Sequence, residues 1–405
     1  MCCRLKLGVW GKGAPPDTIP RVFPAGCHGA GPIAGYALPE TVVATTGEGR
    51  GMEALPLAVL LLVFAAAAAV IWVAGIQLSK QTDVLDDRLH LGSALGGLIL
   101  LAIATNLPEI AITVSAALSN NLGVAVGNIL GGIAIQTVVL VILDVLGTRG
   151  TDPLSYKAAS LTLVIEAVTV VAVLGVVIAG SQMPGSLVAF RLTPAAVLIA
   201  VIWILGLILV QRSQKGLPWH HQGDAPGAQD QPKGHSKKKA TQGNRHISTG
   251  KSALIFAVAA LATLAAGVVL ERSGDAIAGH IGLSGVLFGA TFLALATSLP
   301  EISTGLASVK QCDYKLAFSD IFGGNAFLPV LFLVAVVITG KPVLPQAHAT
   351  DIYLTALAIL LTLTYLLGLL FRPKRKRLGM GTDSLVVLIL YLVGVAGLFA
   401  VATMS

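Results

Sequence analysis

Charge is scarce in this chain: 12% of its 405 residues are Asp, Glu, Lys or Arg, against 55% apolar. A water-soluble domain needs more polar surface than that to cover itself, so the ordinary soluble classes are excluded. Cysteine is scarce too. Cys2, Cys3, Cys27 and Cys312 have no metal-ligand spacing, and three of them share one N-terminal stretch, so no redox or structural role is read from them. The alternating segments of about ten residues that build a membrane barrel are missing. So are an intramembrane Ser-His pair and a zinc motif, which argues against an intramembrane enzyme. Residues 1–51, rich in Gly and Pro, fit no secretory signal, because no basic start leads directly into an apolar core. They read either as a disordered tail or as translated leader before a start at Met52.

What the chain does have is long apolar blocks. Leu55 to Leu78 and Leu385 to Ala402 each suffice to cross the hydrocarbon core, which takes about 20 helical residues. Helices are the spanning form expected, since each satisfies its own backbone polar groups. Ten spans are predicted: 54–79, 92–118, 122–146, 158–180, 193–211, 252–272, 281–309, 314–339, 350–371 and 383–403. Between the fifth and sixth, residues 213–251 are polar and carry Lys237, Lys238 and Lys239, and they read as a disordered linker. The domains expected are therefore a first five-helix half over 52–212 and a second over 252–405. The formal net charge of +7 sits in the loops, where it reports topology rather than nucleic-acid binding. Of the 27 Lys and Arg residues, 19 fall in or beside the connections after odd-numbered spans. Those connections, the 213–251 linker among them, are expected on the cytoplasmic side of the plasma or inner membrane, with both termini outside.

The two halves repeat. Ala102–Leu140 placed on Ala294–Phe332 without gaps, a shift of 192 residues, gives thirteen identities in 39 positions. They cluster where Ala104-Thr105-Asn106-Leu107-Pro108-Glu109-Ile110 meets Ala296-Thr297-Ser298-Leu299-Pro300-Glu301-Ile302. Asn128 and Asp320 stand nineteen residues after each Glu, followed by Gly131-Gly132 and Gly323-Gly324. An odd number of spans separates the copies, which gives them opposite orientations in the bilayer. The expected fold is thus an all-α integral membrane protein of ten transmembrane helices in two inverted five-helix repeats, with the binding site at the midplane where the repeats meet.

The repeated residues suit a cation. Pro108 and Pro300 have no N–H for the carbonyls of Ala104 and Ala296, and their rings break the helix. Carbonyls freed at membrane depth are tolerated where they line a cavity or meet a ligand. Hydroxyls of Thr105, Thr297 and Ser298 add oxygens, and Glu109 and Glu301 bring carboxylates one step beyond each break. Asn128 and Asp320 come from the next span. An ionised carboxylate at the bilayer centre costs about 2.5–3.5 kcal/mol on insertion scales. No basic residue lies at comparable depth in the spans of Glu109 and Glu301, so a bound cation is the expected compensation. Hard cations such as Ca²⁺ take six to eight oxygens of this mixed kind, and the set lacks the His and Cys that softer metals prefer. Glu166, in the fourth span, has no partner in the repeat and reads as a structural hydrogen-bonder before a proton carrier. Asp144 and Asp351, near span ends, read as interfacial. His220, His221, His235 and His246 belong to the solvated linker.

At these residues the chain resembles the cation/Ca²⁺ antiporter superfamily, the sodium/calcium exchangers and their bacterial relatives. The family's Thr-Ser-Leu-Pro-Glu stands here as Thr297-Ser298-Leu299-Pro300-Glu301, and as Thr105-Asn106-Leu107-Pro108-Glu109 in the first half. Its Gly-Asn-x-x-Gly-Ser-Asn stands as Gly127 to Ile133 and as Ser319 to Asn325. The first half departs from the pattern at Asn106 and at Gly132-Ile133. The resemblance implies Na⁺/Ca²⁺ antiport by alternating access. Glu109 and Glu301 would be shared ligands, Asp320 and Asn128 would complete the ring, and Thr105, Thr297 and Ser298 would line flanking Na⁺ sites. It also implies that spans 1 and 6 slide across the other helices. H⁺-coupled cation exchange is the alternative, and a passive channel a remoter one. No cofactor, nucleic acid or protein partner is implied; Ca²⁺ and Na⁺ are substrates and lipid is the surroundings.

Overall fold

The computed structural model describes Met52, 54–89, 102–148, 152–214, 248–283 and 285–404. The N-terminal stretch 1–51, most of the linker and the first part of the second predicted span lie outside the described residues.

The described chain is almost wholly helical. We label its main helices α1 (Leu57–Leu89), α2 (Leu107–Leu118), α3 (Leu122–Gly147), α4 (Leu161–Ser181) and α5 (Pro194–Gln214) in the first half. The second half holds α6 (Thr249–Ile281), α7 (Leu299–Lys310), α8 (Tyr314–Phe327), α9 (Ala349–Phe371) and α10 (Thr382–Met404). After a 3₁₀ turn, α8 continues as Leu331–Thr339, and a two-residue hairpin, Lys376–Arg377 on Met380–Gly381, joins α9 to α10. Among the described residues, eight helices are long and apolar enough to cross a membrane. Gly289–Thr297 with Leu299–Lys310 adds a span bent by 47°, and α2 is a shorter apolar helix.

The sequence repeat is also a repeat of backbone. Adding 192 to the bounds of α1 and α2 returns the bounds of α6 and α7, and adding it to those of α3 returns Tyr314 and Thr339. The breaks match in conformation: Asn106 has φ −89° and ψ 14°, Ser298 φ −80° and ψ 4°. Beyond α2 and α7 the chain turns through left-handed Asn120 (φ 57°) and Cys312 (φ 64°), again 192 residues apart.

Burial sorts the helices into two groups. The most apolar windows of α3 and of α8 with its continuation are 78% and 67% buried, against 22% for α1, 28% for α5 and for α6, and 17% for α10. Residues of α3, α4, α8 and α9, with others, build one large core. None of its residues comes from α1 or α6, which bury Leu60, Ile71, Ala74, Leu78 and Leu270 in two smaller clusters. These two helices pack most extensively on each other, α1 also on α7 and α6 on α2. Both run further than hydropathy indicates, because the helix continues past Lys80 in α1 and past Glu271 and Arg272 in α6.

Candidate functional site

Each broken helix restarts with Pro in its first turn, at Leu107-Pro108-Glu109 and Leu299-Pro300-Glu301. Pro costs nothing there, because a helix's first N–H groups have no intrahelical acceptor. The break therefore sets each glutamate in the first turn of a new helix, where the positive end of the dipole favours a carboxylate. This support for the glutamates adds to whatever a cation supplies, and the Pro-Glu pairs already encode it.

Glu109 and Glu301 are fully buried and come together across the two halves. A single amide joins them: Gln136 Nε2 on α3 lies 3.5 Å from Glu109 Oε1 and 3.3 Å from Glu301 Oε1. The same nitrogen is 3.4 Å from Asn106 Oδ1. Asp320, 4% exposed, accepts a 2.6 Å hydrogen bond from Thr304 through Oδ2 and is close enough to Glu301 for their charges to interact. Thr297 lies near Glu109 and Thr105 near Asp320, while their hydroxyls donate to the Ala294 and Ala102 carbonyls of their own helices at 3.1 and 3.4 Å. Ala104 and Ala296 are buried at the breaks. Ser298 Oγ donates to the Ala294 carbonyl at 2.8 Å. Asn128 is fully buried with neither amide atom hydrogen-bonded, and among the described residues no hydrogen bond joins it or the Ser298 side chain to the three acids. Among the described residues, buried oxygens without a hydrogen-bond partner include Glu109 Oε2, Glu301 Oε2, Asp320 Oδ1, Asn128 Oδ1, Gln136 Oε1 and Asn325 Oδ1. Among the described residues no three acidic, His or Cys side chains gather tightly enough to hold a metal ion by themselves. Neutral oxygens would therefore have to supply much of any cation's shell.

Sequence reasoning missed Gln136, Thr304 and Asn325, which donates to Thr137 Oγ1 at 3.1 Å. Their places in the other copy are held by Leu328, Ile112 and Ile133, so comparison of the repeats passes over them. Asp144 and Asp351 lie near helix ends, as expected, and both are buried within the protein. Asp144 accepts from the N–H of Leu154 and Gly381 and from Ser384 Oγ. Asp351 is 1% exposed because its carboxylate caps the start of α9 at the His348 N–H. Glu166 accepts a 2.8 Å bond from Ser319, consistent with the hydrogen-bonding role.

The sodium/calcium exchanger protein family matches residues 59–212 and 251–400, three quarters of the chain and both halves of the site. The chain belongs to that family. Exchangers are transporters, not enzymes, and the eight long apolar helices make this a multi-pass membrane protein. Among curated relatives it is 24% identical to the inner membrane protein YrbG of Escherichia coli (strain K12) over 290 residues, 71% of this chain and 81% of that one. It is 25% identical over 298 residues to CaxA of Alkalimonas amylolytica, with 71% and 84% covered. Its fold is similar to that of the sodium-calcium exchanger NCX_Mj soaked with Na⁺ and Sr²⁺ (TM-score 0.53, 15% identity, 84% of this chain and 99% of that one). It is also similar to the H⁺/Ca²⁺ exchanger CAX (TM-score 0.59, 11% identity, 83% and 82%).

Proposed function

We propose that this exchanger carries Ca²⁺ against Na⁺ by alternating access, using one central site shared by two inverted five-helix repeats. Ten spans cross the plasma or inner membrane, the 213–251 linker is cytoplasmic, and both termini face outside. The observation that carries the site is the set of unbonded carboxylate oxygens, Glu109 Oε2, Glu301 Oε2 and Asp320 Oδ1, in side chains at most 4% exposed. Buried acids with open oxygens are expensive unless a cation takes them up. Glu109, Glu301 and Asp320 are the charged ligands. Asn128, the hydroxyls of Thr105, Thr297 and Ser298, and the carbonyls of Ala104 and Ala296 supply the neutral ones.

Alternating access is supported by the separate packing of α1 and α6 and by a reciprocal pair of close contacts. A Cβ on Gly75 of α1 would come within 2.9 Å of Pro300, and one on Gly267 of α6 within 3.2 Å of the Pro108 carbonyl oxygen. Each sliding helix thus lies against the break in the opposite half. H⁺ as the counter-ion is the second reading, favoured by the similarity to the H⁺/Ca²⁺ exchanger. Uptake of radiolabelled Ca²⁺ into proteoliposomes separates them. An outward Na⁺ gradient drives uptake if Na⁺ is coupled; uptake driven only by a pH gradient assigns the counter-ion to H⁺. Uptake that needs neither ion would sink exchange altogether.

A further inference from the structure

We infer that a second cation, monovalent and not transported, is held where the ends of α3, α9 and α10 meet, with the Asp383 carboxylate as its charged ligand. Two acids come together there, Asp144 of α3 and Asp383 in the first turn of α10, near enough for their charges to interact. Asp144 is saturated. The N–H groups of Leu154 and Gly381 and the hydroxyls of Thr148 and Ser384 all donate to it, and Lys376 Nζ stands 3.9 Å away. Asp383 is the opposite case: it is 6% exposed, and neither of its carboxylate oxygens has a hydrogen-bond partner. Ser155, 1% exposed, lies beside it with its own hydroxyl unbonded. Tyr365 is buried near both acids and donates to Ser384 Oγ at 3.2 Å, which leaves its oxygen able to accept. The carboxylate sits in a slot that two glycines keep open. A Cβ on Gly368 would collide with Asp383 Oδ2, and one on Gly381 would come 2.5 Å from Asp383 Oδ1 and 3.1 Å from Asp144 Oδ2.

A buried carboxylate without a partner is costly, and the fold supplies only part of the compensation. The start of α10 favours a negative charge, and the N–H groups of Asp383 and Ser384 are near, yet both carboxylate oxygens stay open. Lys376 is committed to Asp144 and to Thr148. Two acids and one ammonium leave a single negative charge, which a monovalent cation balances and a divalent one would overshoot. The groups around it offer oxygen alone, from Asp383, Ser155, Tyr365 and Asp144, which suits a hard cation. These ligands are separate from those of the exchange site. Asp144 stands eight residues beyond Gln136 on α3, about 12 Å along the helix. Nor does the repeat copy the set: Val336, Arg191 and Ala347 hold the places equivalent to Asp144, Asp383 and Ser155. An ion there fastens α10 and the hairpin to α3 and α9, away from the separately packed α1 and α6.

Thermal melting of the purified full-length protein tests this, with NaCl or KCl exchanged for N-methylglucamine chloride at constant ionic strength and Ca²⁺ chelated. Glu301→Gln is the background, so that a shift does not come from an intact exchange site. One of the two ions is expected to raise the melting temperature of Glu301→Gln, and adding Asp383→Asn should abolish that rise. Ser155→Ala, a milder change, should raise the ion concentration at half-effect about tenfold, the scale of one oxygen lost to a charged partner. It carries the test should Asp383→Asn not fold. No rise at all, a rise unaltered by both substitutions, or one that only added Ca²⁺ produces, overturns the inference. So does a rise seen in the wild type and lost in Glu301→Gln, which assigns the ion to the exchange site and leaves that site standing. Wild-type Ca²⁺ binding by Glu301→Gln would instead remove the exchange site and leave this one in place.

Discussion

The two halves carry one backbone and two chemistries. Their breaks, restarting helices and left-handed turns coincide after a shift of 192 residues, yet around the two glutamates the side chains diverge. The first half supplies amides: Asn106, Asn128 and Gln136. At the equivalent places the second supplies Ser298, Asp320 and Leu328, with Thr304 and Asn325 opposite Ile112 and Ile133. The Ala-Thr pair before each break and the Leu-Pro-Glu that follows are kept in both. A duplicated scaffold therefore fixes where carboxylates stand, while unduplicated neighbours set how many oxygens and how much charge each side brings. Size follows the same division. Asn106 is larger than Ser298, and Gly324 gives it room, whereas the nearest atom to a Cβ on Gly132 would be Leu328 Cδ1 at 3.8 Å.

The symmetric part should fail symmetrically. Glu109→Gln and Glu301→Gln should each cut exchange more than about 100-fold, beyond the 10–100-fold typical of residues that only support a metal ligand. Membrane insertion and melting of both variants should stay close to wild type. Flux assays on both variants check this, and unequal losses would break the comparison. Next in size, Gly75→Val and Gly267→Val should each slow turnover about tenfold with Ca²⁺ affinity retained, because overpacking at a moving contact blocks motion rather than binding. Stopped-flow exchange beside equilibrium binding separates the two effects.

The asymmetric part should fail on one side. Asp320→Asn, which makes the second half copy Asn128, should weaken Ca²⁺ by more than Asn128→Ala does, as a charged ligand outweighs a neutral one; binding isotherms test the order. Smallest of all, Thr137→Val removes the partner of Asn325, one hydrogen bond between halves. It should cost about 1 kcal/mol of stability and leave coupling alone, as read by melting and flux.

Much of this was legible in the sequence because Pro-Glu has few uses inside a membrane. Pro108 and Pro300 announced the breaks, and the shared heptapeptide paired them. What was not legible depends on packing that no repeat records. Gln136 looks like one polar residue in an apolar run until the fold sets Glu109 and Glu301 on either side of it. Asp144 is legible as a span-end acid; that the hairpin before α10 folds over it with Gly381 and Ser384 is not. The lengths of α1 and α6 were underestimated because hydropathy registers where charge begins, while a helix ends only where its backbone is capped, as at left-handed Gly282.

The central claim is that acids from both halves close on a single exchangeable cation. Competition binding on purified protein reaches it most directly: radiolabelled Ca²⁺ held by the wild type, chased with Na⁺ or with acid. One saturable site, emptied by the counter-ion and absent from both glutamate variants, is the result expected. Ca²⁺ retained by either variant at wild-type affinity would contradict it.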